Sequence, residues 1–179
     1  MATDEMGLTD LLKHGLEDMY YAESRIQKAL PKMIEAARDE DLRAGLDRHL
    51  EETAQQITML EEAFEAMGEK PRAEKCDAMD GILKEADSLL KDFGGTAAGD
   101  AAIIFSCQAV EHYEIARYGS LRAYAELLGK EQVADLLSDI LDQEEAADEL
   151  LSEIAEGRAN PVAAGMAASD MDDDEDDGA

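Results

Sequence analysis

Apolar residues recur at helical spacing through most of this chain, and the rows they form mark out its elements. The first row, Leu8, Leu12, Leu16, Met19, Ala22, Ile26, Leu30 and Met33, predicts a helix over residues 8–38, with Thr9 or Asp10 near its start. Pro31 falls inside it, where the missing N–H is expected to kink the helix. The second row, Leu42, Leu46, His49, Leu50, Thr53, Ile57, Leu60 and Phe64, predicts a helix over 41–67, stopped by Gly68 with Pro71 beyond. A long connection over 69–100 holds one amphipathic segment, 73–93, ended by Gly94 and Gly95. Two further long helices are predicted over 100–128 and 131–156, stopped by Gly129 and Gly157.

The links between these rows set the architecture. The short stretch Arg38, Asp39, Glu40, Asp41 makes the first two helices antiparallel neighbours, and Gly129 with Lys130 does the same for the last two. Two tight hairpins joined by a long crossover is the connectivity of a ferritin-like four-helix bundle, with an extra short helix in the crossover. The expected fold is therefore all-α, with one bundle domain over residues 1–156 and a disordered acidic tail over 157–179.

Composition agrees and narrows the function. Val, Phe and Thr are sparse and Trp is absent, which disfavours strands. The formal charge of −28 opposes binding to nucleic acid or to an anionic membrane, both of which require Lys and Arg. Seven acidic residues fall in the last eleven positions, so most of the imbalance belongs to the folded part. It gives solubility or, alternatively, suits a high-salt setting where screening removes self-repulsion. No apolar run reads as a signal peptide or spans a bilayer, and the expected location is the cytoplasm. Cys76 and Cys107 have no ligand-type spacing, and Cys107 reads as a small core residue.

Carboxylates interrupt the apolar rows on all four long helices. Glu23 lies between Met19 and Ile26 on the first, and Asp18 competes with it from the edge of the row. The second carries His49, Glu52 and Gln56, with Glu52 at the edge. Glu111 and Glu114 share a face with Cys107 and Tyr118 on the third, and the fourth carries Glu144 and Asp148. A buried carboxylate is unfavourable unless it is paired, protonated or bound to a cation. The two hairpins also repeat one spacing: Glu23 to Glu52 and Glu114 to Glu144 are separated by nearly equal lengths of chain around the turns. A degenerate duplication with a shared central site follows, in which several carboxylates neutralise two divalent ions and His supplies nitrogen. Oxygen donors suit iron or manganese, and dioxygen or peroxide could occupy open positions.

The strings EDMYYAE at 17–23, HLEETAQQ at 49–56, CDAM at 76–79 and QAVEHYEIARYGSL at 108–121 resemble the YciE/YciF family of ferritin-like bacterial stress proteins. The resemblance extends over nearly all of residues 6–156. It implies a ferritin-like bundle with an extra short helix, a homodimer and a dinuclear metal site. Carried over by position, its acidic and polar residues are Asp18, Glu23, His49, Glu52, Gln56, Glu111, Glu114, Glu144 and Asp148. The Glu-x-x-His pattern of rubrerythrins and ferritins is absent: Gln55 follows Glu52 at i+3, and Ala147 follows Glu144. Three functions are open: a dinuclear iron or manganese protein with ferroxidase or peroxide-consuming activity, a metal-free carboxylate network in a structural dimer, and an iron buffer without turnover.

Overall fold

The computed structural model describes residues 6–166. Its four long helices are α1 (Leu8–Ala36), α2 (Glu40–Ala66), α4 (Gly99–Leu127) and α5 (Glu131–Ile154), and α3 (Asp77–Phe93) lies in the crossover between α2 and α4. Helix α1 is flanked by α2 and α4, and α5 closes the ring against both. The order around the bundle is thus α1, α2, α5, α4, with α3 laid over the groove between α1 and α4. This is the ferritin-like arrangement that the loop lengths imply.

The helix ends have local causes. Asp39 caps α2 by accepting the N–H groups of Asp41 and Leu42 at 3.0 and 2.9 Å. Gly68 and Gly129 take positive φ, 75° and 66°, and terminate the helices before them. Pro31 lies exposed within α1, and the helix runs through it to Ala36. The predicted stop at Gly157 does not occur. The chain beyond α5 passes through a π-helical turn, Ala155–Ala159, into a short helix α6, Asn160–Ala163. Burial of Ala155 and Ala159 holds this extension against the bundle, and Gly157 keeps helical backbone. Of the tail expected over 157–179, residues 167–179 lie outside the described residues.

Antiparallel pairing stacks the core in layers. Leu12, Leu16, Leu60, Phe64, Leu121 and Leu137 fill one end, and Leu30, Met33, Leu42, Leu46, Ile103 and Ile154 fill the other. Each such side chain contributes about 1.5–3 kcal/mol on burial. Small residues let the layers close: a methyl on Gly15 would collide with Leu121, and one on Gly45 would lie 3.0 Å from Leu150. Between the two apolar ends lies a polar middle layer. No helix among the described residues is long and apolar enough to cross a membrane.

Candidate metal centre

Helical periodicity decides which polar groups reach the middle layer. The inward row of α2 runs Leu46, His49, Thr53, Gln56, Leu60, at alternating steps of three and four. On α4 the corresponding row is Cys107, Val110, Glu111, Glu114, Tyr118, and on α5 it is Leu137, Ile140, Leu141, Glu144. Helix α1 contributes Glu23 between Ala22 and Ile26. Glu23, Gln56, Glu114 and Glu144 have no solvent exposure, and Glu111 has 1%.

Ligand-type atoms of His49, Glu111, Glu114 and Glu144 all lie within 4.8 Å of one another. His49 Nε2 stands 3.3 Å from Glu111 Oε1. Gln56 Nε2 donates to Glu144 Oε1 at 2.5 Å and to Gln143 Oε1 at 2.9 Å. The Tyr118 hydroxyl donates to Glu23 Oε1, fixing that carboxylate beside the cluster. Thr53 turns its hydroxyl back to the His49 carbonyl at 2.8 Å, so it adds no donor to the pocket.

Much of this buried polarity has no partner. Glu23 Oε2, both oxygens of Glu114, Glu111 Oε2, Glu144 Oε2, Gln56 Oε1 and both ring nitrogens of His49 lack hydrogen bonds. Native interiors rarely leave such groups unsatisfied. Burial, then the charge of Glu144, raises the Glu23 carboxyl from 4.5 to about 8. Burial and neighbouring acids also push Glu111 and Glu114 well above the carboxylate range. A divalent cation would satisfy the orphaned oxygens and remove the repulsion that drives these shifts. The donors present therefore fit a cation held by oxygen and imidazole nitrogen, and could hold one.

The other sequence candidates lie elsewhere. Glu52 is half-buried on the wall of a cleft between α2 and α5, one helical step off the inward row. Asp148 is half-buried beside the cluster, 3.2 Å from the exposed His112 and 3.1 Å from the Gln108 amide. Asp18, half-buried on α1, pairs with the exposed His14 at 3.8 Å. Asp18 and Asp148 are engaged by these neighbours outside the four-residue cluster, and Glu52 stands on the cleft wall. Gln143 is a polar group the sequence rows did not single out. It precedes Glu144 on α5, holds Gln56 and lines the α2–α5 cleft. That cleft also carries Arg48 at its rim and reaches His49 and Glu111 at its floor.

Comparison with known proteins places this geometry in a family. A model described as a domain of unknown function, DUF892, matches residues 7–164. Protein YciF of Escherichia coli (strain K12) is 38% identical over 157 residues, covering 87% of this chain and 95% of that protein. The solved structure of YcfI from Rhodopseudomonas palustris matches with a TM-score of 0.81 and 49% identity, over 85% of this chain and 97% of that one. The crystal structure of the E. coli stress protein YciF gives 0.81 and 37%, over 89% and 99%. A Xanthomonas campestris protein at 24% identity and a TM-score of 0.67 shares the fold. The match along nearly the whole length, in sequence and in backbone, means that this chain belongs to the DUF892 family as a relative of YciF.

Proposed function

We propose that this protein is a stress-response protein that holds two divalent cations, iron or manganese, in the middle layer of its bundle and uses them on dioxygen or peroxide. The observation that carries the reading is a buried group of four ligand-type side chains within 4.8 Å, with carboxylate oxygens left unpartnered. Glu111, Glu114 and Glu144 would neutralise the charge, His49 would supply nitrogen, and Glu23 would extend the set toward a second cation. When bound, the pair supplies redox chemistry toward a small oxidant. The chain's own part is to hold and shield. Tyr118 orients Glu23, Gln56 orients Glu144, and the apolar layers on either side exclude water. Glu52 stands on the wall of the α2–α5 cleft, where it would draw a cation from solvent toward His49 and Glu111. The description of the relative YciF as a stress protein supports the setting, and the exposed Phe105 and Leu127 suit assembly as a homodimer.

Titration of chelator-stripped protein with ferrous or manganous ion under nitrogen tests the reading. At a hundredfold excess over Kd the melting temperature is expected to rise by about 5–10 °C. Air or peroxide is then added, and loss of oxidant with turnover separates an oxidase or peroxidase from a buffer. The second reading, a metal-free polar network in a structural dimer, draws on the bonds Gln56 already makes to Glu144 and Tyr118 to Glu23. YcfI is itself described as a proposed structural protein. Melting that is indifferent to every cation tried would favour that reading and sink the first.

A further inference from the structure

His49 and Glu111 border two cavities that open on opposite faces of the bundle. One is the α2–α5 cleft, where Arg48, Glu52 and Gln143 interrupt apolar walls that include Leu42, Leu150 and Leu151. The other lies beneath α3, in the groove between α1 and α4, and its walls lack charged and amide side chains. Ile26 and Leu30 come from α1, Leu83 and Ala86 from α3, and Cys107 and Val110 from α4. The hydroxyl in that wall, Ser106, bonds the Ala102 carbonyl at 2.9 Å and offers its proton to nothing inside. Polar groups are met only at the floor, at the edge of His49 and Glu111.

The space exists because α3 covers the groove with a small residue. Ala86, 3% exposed, faces the cavity where a larger side chain would fill it, and Leu83 and Ala29 stand half-exposed at the mouth. The volume open to the centre of a water-sized sphere is about 20 Å³. One small occupant needs about 10–15 Å³ by that measure, so a molecule of two or three atoms fits and an organic substrate does not. Water entering it would give up hydrogen bonds on every side but one, whereas an apolar molecule gives up none.

We propose that the pocket beneath α3 binds dioxygen and delivers it to the His49–Glu111 edge of the carboxylate cluster, on the face opposite the cation cleft. The assignment of dioxygen rests on the dinuclear reading above; the preference for a small apolar occupant rests on the pocket alone. Two mouths of unlike lining keep the cation and the oxidant from competing for one path.

Xenon is the probe, a small sphere without hydrogen-bonding capacity. Crystals of the metal-free protein pressurised with xenon are expected to show the gas between Ala86 and Val110. Ala86→Leu fills the cavity from its roof, and Leu83→Trp covers its mouth from a half-exposed position that tolerates bulk. Each is expected to lower xenon affinity about tenfold or more. In metal-loaded protein both should slow dioxygen consumption while leaving cation uptake within about twofold, because the two faces are separate. No xenon at this place, or undiminished xenon in both variants, overturns the pocket. Unchanged dioxygen consumption in variants that have lost xenon overturns the delivery role. Xenon bound in a protein that takes up no cation upholds the pocket and overturns the metal reading alone. Cation uptake without xenon does the reverse.

Discussion

The first hairpin lends the middle layer one acid, Glu23, and two groups without negative charge, His49 and Gln56, while the second lends three acids, Glu111, Glu114 and Glu144. The hairpins are built from helices of similar length, yet the charge is concentrated on α4 and α5. The pairing across the bundle follows from this. Gln56 of α2 donates to Glu144 of α5, and His49 of α2 faces Glu111 of α4. A duplicated scaffold with identical donors on both halves would bury more repulsion than it could offset. Partners without negative charge on one half let the other half carry the acids, so the bundle can stand before any cation arrives.

The largest expected effect comes from breaking the charged half. Glu144→Ala should weaken divalent-cation binding by about 100-fold or more, about 2.7 kcal/mol, with helical content by circular dichroism unchanged. Gln56→Leu, in the other half, should cost only about tenfold. Calorimetric titration of both variants decides: equal losses, or a larger one for Gln56→Leu, would dissolve the contrast between hairpins.

A second effect concerns acid and base. Glu23 holds its proton to about 8 because it is buried beside Glu144, against 4.5 for an ordinary carboxyl, and Glu111 and Glu114 shift the same way. The folded protein therefore binds protons more tightly than the unfolded chain between these values. Its stabilisation is complete below 4.5 and is lost as pH rises through about 8. Chelator-treated protein should melt progressively lower from pH 5 to pH 8, and saturating cation should flatten that slope. A metal-free protein that gains stability over this range would contradict the burial of these acids. The smallest effect is Asp148→Ala, which should change stability and cation affinity by no more than about 1 kcal/mol, because the side chain is half-buried and engaged by His112 and Gln108 outside the four-residue cluster.

Apolar spacing made the helices legible. Gly68 and Gly129 end them where the chain predicts, and Glu23, Glu111, Glu114 and Glu144 sit inward as their rows require. Rows are blunt at their edges. Glu52 and Asp148 each stand at the border of the inward face, and only the rotation of the packed helix leaves them half-buried beside the cluster. Gly157 looked like a stop because glycine usually ends helices through positive φ, but the burial of Ala155 and Ala159 outweighs that preference here. The pocket beneath α3 was illegible for another reason. It depends on how a crossover helix docks across two others, a relation no local pattern encodes.

The π turn after α5 has one further consequence. Arg158 reaches back to grip Asp39, whose carboxylate also caps α2, though 119 residues separate the two. An exposed pair like this adds at most about 1 kcal/mol, so its weight lies in timing. During synthesis Asp39 can cap α2 at once, but it meets this guanidinium only after a further 119 residues have been added.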